Sequence, residues 1–191
     1  MEARLTQASN KQLNKLIVSN LAGTLGSAIL TFVIGLIILK HSDSAFYFGL
    51  SQAVGPVVSL LLLPFTGGLV DKYNKQHIIV WAQGLSILAL GLFAGFIATT
   101  HLTSNLLMVF LLLIALKISD QFLSTASMAA ATNLVVEEHV HKLRSIEQTI
   151  GALSQFIAPI AGVALYAMLP LEYLVGLEIV LEALVIIITL T

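Results

Sequence analysis

Four ionisable residues stand in otherwise apolar surroundings: Lys117 and Asp120 in one run, Glu178 and Glu182 in another. Lys117 and Asp120 are three apart, a spacing that places them on one face of a helix. A lone ammonium in hydrocarbon costs about 2.5–3.5 kcal/mol on insertion scales, so Lys117 requires a partner. Two readings stay open. Asp120 supplies the partner within the helix, or Lys117 projects into a polar cavity to bind an anionic group or bias a proton site. Glu178 and Glu182 are spaced i,i+4 and share a face. Two like charges in a low dielectric cannot both ionise cheaply, and such a pair titrates as a unit. The chemistry this suits is reversible binding of a proton. The alternatives are carboxyls that stay protonated and bond one helix to another, or partners for Lys117.

The other polar residues carry less. Asn20, Thr24, Ser27 and Thr31 form a stripe at helical spacing that would face a cavity or bond a neighbouring helix, and Gln52 and Gln83 join it. His41 and His101 are expected in loops at one end of the molecule, His77, His139 and His141 at the other. No metal-ligand set is legible among them and no cofactor is implied. Glu137, Glu138, Lys142, Arg144 and Glu147 read as a wet charged loop, with Arg144 in reach of Asp71. Zero cysteines exclude disulfides and thiolate chemistry. An intramembrane protease would want a Gly-x-Ser-Gly nucleophile and a buried histidine, and neither occurs, so the chain is not read as an enzyme. Net charge is −1, with no basic excess for nucleic acid.

The elements that position these residues follow from where charge is missing. The chain is 58% hydrophobic and 10% charged, against roughly 45–50% and 25% in a soluble domain. Runs free of Asp, Glu, Lys and Arg extend over Leu16–Leu39 (24 residues), Ser44–Val70 (27), Gln76–Leu116 (41) and Gln148–Leu171 (24). About 20 residues of helix cross about 30 Å of hydrocarbon, so each run spans. The longest holds a hairpin at the polar stretch 99–105 and continues into a span containing Lys117 and Asp120. A last span contains Glu178 and Glu182. The expectation is an all-α membrane protein of six transmembrane helices, approximately 16–39, 45–70, 77–99, 105–131, 146–169 and 174–191, after an N-terminal segment, 1–15.

Backbone groups in lipid must pair internally, so Val- and Ile-rich runs are helices here. Gly23 and Ser27, Gly91 and Gly95, and Ala158 and Gly162 are each four apart, a spacing that lets helices approach closely. Pro56, Pro64 and Pro159 fall inside spans and remove hydrogen bonds there. Trp81, Tyr166 and Tyr173 suit the two interfaces. Counting basic residues on alternate sides puts Arg4, Lys11, Lys15, Lys72, Lys75, Lys142 and Arg144 on one side and Lys40 on the other. That bias places both termini in the cytoplasm of a multi-pass protein of the cell membrane.

Gly67 to Gln76 reads GGLVDKYNKQ. This resembles the cytoplasmic loop motif G-x-L-a-D-[RK]-x-G-[RK]-[RK] of the major facilitator superfamily, through Gly67, Leu69, Asp71, Lys72 and Lys75. Asn74 replaces the second glycine as another residue that tolerates positive φ, and Gln76 replaces the last basic residue. The stretch LGSAI at Leu25–Ile29 is similar to the drug:proton antiporters of the macrolide-efflux-like branch. In that branch an arginine stands where this chain has Lys117. Leu134, Val135, Glu137, Glu138, Pro159 and Gly162 match the same branch. The helix-5 antiporter motif, G-P-x-x-G-G at its core, keeps Pro159 and Gly162 but has Ala158 and Val163 for the other glycines.

The resemblance implies one bundle of a major-facilitator fold, built as a 3+3 inverted repeat, with the second six-helix half absent from this chain, which reads as truncated. It implies alternating-access transport of a small molecule, with proton-coupled efflux of drug-like or amphipathic compounds. The implied partners are that substrate, protons, the lipid bilayer and a second six-helix bundle. Asp71 would lock two halves together on the inner side, and Glu178 would belong to the proton site. The competing reading is a non-transporting remnant or a half that depends on a partner.

Overall fold

Apolar runs leave water only if their backbone groups bond to one another, and this chain meets that condition with helices. The computed structural model describes the backbone of residues 2–99, 105–134 and 137–190, and the side chains of 21–98, 105–130 and 144–189. Among the described residues every element is helical: α1 (Glu2–Ser42), α2 (Ala45–Lys72), α3 (Lys75–Thr99), α4 (Leu106–Leu134), α5 (Glu137–Met168) and α6 (Leu171–Leu190).

Five of them contain a stretch long and apolar enough to cross a membrane: Leu21–Ser42, Ala45–Lys72, Lys75–Ala98, Leu106–Ala130 and Arg144–Met168. The sixth has 20 residues, about 30 Å of helix, but Glu172, Glu178 and Glu182 set it apart from the apolar five. Two loop expectations are corrected. The charged segment 137–147 is the start of α5, and six of its eleven residues, the three Glu with Lys142, Leu143 and Arg144, are good helix formers. The motif Gly67–Gln76 is mostly helix as well, with only Tyr73 and Asn74 between α2 and α3.

Asn74 does not use positive φ. Among the described residues the one non-glycine with positive φ is Asp43, at 48°, in the turn from α1 to α2. Asn74 instead caps α3, its Oδ1 accepting the Gln76 N–H at 3.0 Å, as short polar side chains do before a helix.

α1 is the central helix, packed on α2, α4, α5 and α6, while α3 lies against α4 and α6 and α2 against α4. The approach of α5 depends on Gly162: a methyl group there would stand 2.8 Å from Phe32 Cδ1 and 3.4 Å from Val33 Cγ2. Gly91 and Gly95 share the spacing but not the contact. A methyl at either meets nothing within 4 Å, so that pair faces outward.

The core is lopsided. Its main cluster, including Val33, Ile34, Leu90, Leu113 and Val175, lies in the half of the bundle next to the α1–α2 turn. Toward the α2–α3 turn the buried cluster shrinks to Val70, Ile79 and Ala126.

Candidate functional site

Where the apolar core thins, the bundle is hollow. A cavity of about 430 Å³ begins at Lys117 and Asp120 and extends toward the α2–α3 turn, reaching Ile79 on α3, Glu147 on α5 and Thr189 on α6. Its wall is rich in hydroxyls and amides, with Thr24 and Ser27 from α1, Ser124 and Ser127 from α4, and Ser154 and Gln155 from α5. The Ser154 hydroxyl is buried with no hydrogen-bond partner among the described residues.

At the deep end of the cavity Lys117 and Asp120 pair at 2.9 Å between Nζ and Oδ2. Lys117 thus pairs within its helix and also lines the cavity. Ser27 on α1 completes the group. Its hydroxyl donates to Asp120 Oδ2 at 2.8 Å and accepts from Lys117 Nζ at 3.4 Å. The lysine stem runs past Gly55 on α2, where a methyl would stand 3.5 Å from Lys117 Cδ, an ordinary van der Waals contact.

Glu178 and Glu182 lie behind α1, each only 4% exposed. The Glu178 carboxyl rests on the backbone of α1 at Gly26. Ser86 on α3 hydrogen-bonds the Glu182 carboxyl, whose Oε2 has no partner. Glu178 feels the charges of Glu182, Asp120 and Lys117, and Glu182 that of Asp120. Lys117, Asp120, Glu178 and Glu182 thus form one electrostatic cluster, three acids to one base, divided by α1.

The remaining residues scatter. Asp71 and Arg144 are both exposed and form no ion pair with each other. Lys72 Nζ stacks 5.8 Å from the Tyr73 ring, and Lys40 Nζ 5.6 Å from that of Tyr166 at the other end. Gly67 and Leu69 are on the last turns of α2, Lys75 is the first residue of α3, Gly162 belongs to the α1–α5 contact, and Pro159 is half-buried within α5, neither of the last two lining the cavity. Of the α1 stripe, Thr24 and Ser27 reach the cavity. The Thr31 hydroxyl is buried without a partner, as are both amide atoms of Gln83, while Gln52 is exposed. The side chains of Asn20, His101, Glu137, Glu138, His139, His141 and Lys142 lie outside the described residues. His41 and His77 are exposed, and no cluster suited to a metal ion exists among the described residues.

Sequence reasoning passed over Gly26, Ser86, Ser124, Ser127 and Ser154. For the α4 serines a signal existed: Lys117, Asp120, Gln121, Ser124 and Ser127 recur at three- and four-residue steps, one polar face of an apolar helix. The contact at Gly26 had none.

The sequence pattern of the Major Facilitator Superfamily matches residues 16–191. The chain is also similar to Macrolide efflux protein A of Streptococcus pyogenes, 26% identical over 153 residues, which is 80% of this chain and 37% of that protein. The protein of the same name from S. pyogenes serotype M6 gives the same identity and coverage. The chain thus spans well under half the length of these relatives.

Proposed function

The chain belongs to the Major Facilitator Superfamily, and on that premise we propose that it carries a small molecule across the cell membrane by alternating access, as the N-terminal half of a proton-coupled exporter of drug-like or amphipathic compounds. One observation carries the reading: a bundle whose main apolar core lies toward one end and whose polar cavity extends toward the other, with buried acids and a lysine where the two meet. A carrier needs one closed side, one open side and an ionisable group between them. Membership of a transporter family goes with binding and release rather than bond-breaking chemistry.

The finer architecture is two inverted three-helix repeats. Exchanging α1 with α4, α2 with α5 and α3 with α6 turns the α1–α5 contact into α4–α2, α3–α4 into α6–α1, and α1–α2 into α4–α5, while α1–α4 and α3–α6 map onto themselves. The match is uneven: α1–α2 and α3–α4 are each more extensive than their counterparts, and the slight α2–α3 contact has no counterpart among the stronger ones. In this reading α1 to α3 and α4 to α6 are the two repeats. Both termini lie in the cytoplasm, as the seven-to-one division of loop cations supports, so the cavity faces inward. Asp71, with Gly67, Leu69, Lys72 and Lys75, belongs to the inner gate, and Glu178 and Glu182 to the proton site.

The partner is a second six-helix bundle. Support comes from α2 and α5, whose apolar side chains are exposed in rows, with Leu60, Phe65, Phe156 and Ile160 each about 70% exposed or more. The test is reconstitution into liposomes, of this chain alone and with the sequence that follows it in its natural frame, loaded with a fluorescent amphiphile. Flux driven by a pH gradient is expected from the assembly with two bundles and is lost in Asp71→Asn. A monodisperse single bundle that binds no amphiphile in either form would make the chain a non-transporting remnant.

A further inference from the structure

Gly26 and Ser27 are neighbours on α1, and successive helical side chains point about 100° apart. The two therefore look into different sites. On the side of α6, a methyl group at Gly26 would collide with the Glu178 carboxylate and stand 2.9 Å from Leu181 Cδ1, so the carboxyl is seated on bare backbone. On the side of α4, Ser27 both donates to Asp120 and accepts from Lys117. A single helix separates the buried acids from the ion pair at the cavity. We propose that Gly26 and Ser27 couple the charge on Glu178 to the Lys117–Asp120 pair and through it to the shape of the cavity.

The groups that face Glu178 are Glu182 on its own helix and Asp120 and Lys117 on α4. From α3 comes Ser86, held by Glu182, and α1 presents only the glycine. Charge on Glu178 repels Asp120 and attracts Lys117. Both of these grip the Ser27 hydroxyl, so α1 follows any rearrangement of the pair. Thr24 and Ser27 on α1 stand in the cavity wall with Ser124 of α4, and this part of the wall changes width. Ser27 is a positioning residue here, and Gly26 supplies the notch that lets the carboxyl reach α1.

The coupling rests on the proton-driven reading, but its test requires no transport. The chain has no cysteine, so single cysteines report without background. Ser124→Cys probes the cavity and Ser145→Cys, on the exposed start of α5, serves as control. Both are placed in the full chain in lipid nanodiscs and labelled with a maleimide. The ratio of their rates cancels the pH dependence of the thiol itself. Between acid and alkaline buffer this ratio is expected to change about fivefold or more, the lower range of coupled sites. Glu178→Gln abolishes the change, Ser27→Ala abolishes it with Glu178 still present, and Ser27→Thr, which keeps the hydroxyl, retains it. Should Ser27→Ala give no folded protein, Gly26→Ala shifts the pH profile of the ratio, and Glu178→Asp, withdrawing the carboxyl, restores it.

A ratio that ignores pH in the parent overturns the proposal, as does a Ser27→Ala or Gly26→Ala profile identical to the parent's. A flat parent ratio beside intact proton-driven flux removes the α1 link alone. A Ser27-dependent ratio without proton-driven flux removes the proton drive alone.

Discussion

Lys117 and Asp120 have side chains 18% and 31% exposed, so neither is fully hydrated and each depends on the other. Removing one partner of such a pair costs more than removing both, because the survivor keeps its desolvation and loses its compensation. Asp120→Asn is therefore expected to destabilise the bundle by about 1.5–3 kcal/mol, the range for hydrogen bonds to charged groups. The double variant Lys117→Met with Asp120→Leu should recover most of that loss. Thermal unfolding in one detergent compares the three, and an Asp120→Asn protein as stable as the parent would strip the pair of its structural weight. The pair itself was legible, because three-residue spacing in an apolar run leaves an ammonium few other partners. Its third member was not. Ser27 is 93 residues from Asp120, and no local pattern says which hydroxyl of an α1 stripe meets which helix.

Helices were legible as elements because a charge-free run of 24 residues has few other ways to satisfy its backbone. Their rotations were not legible, and the two glycine pairs show why. Gly91 with Gly95 and Ala158 with Gly162 have one spacing, yet only the second pair meets another helix. Spacing defines a face, and what that face meets is decided by the neighbours. The segment 137–147 illustrates the opposite limit: dense charge signals water, and a helix that projects beyond the bilayer satisfies water as well as a loop does. These facts set a paired expectation. Gly162→Val forces a side chain into Phe32 and Val33 and costs about 1–3 kcal/mol by overpacking. Gly91→Ala meets open space and is neutral or gains up to about 1 kcal/mol from helix propensity. Thermal melts of both proteins decide it, and equal behaviour would mean that α5 does not approach α1 as closely as Gly162 permits.

At the scale of the whole bundle, the uneven core determines which side of the membrane sees the polar cluster. Val33, Leu113 and Val175 are fully buried in the half next to the α1–α2 turn, so the main apolar core stands between that end and Lys117. The cavity extends toward the opposite end, where Ile79, Glu147 and Thr189 line it. In the proposed orientation, drawn from the division of loop cations, that opposite end faces the cytoplasm, a sidedness that chemical labelling can read. In inside-out vesicles a membrane-impermeant maleimide should modify Asn74→Cys at the α2–α3 turn and Ser124→Cys inside the cavity. His41→Cys, at the exposed end of α1, should react only from outside intact cells. Ser124→Cys reacting from the same side as His41→Cys would place the opening at the sealed end and reverse the orientation of the cavity. Reaction of Asn74→Cys from outside would instead reverse the whole bundle, leaving the cavity open toward the exterior.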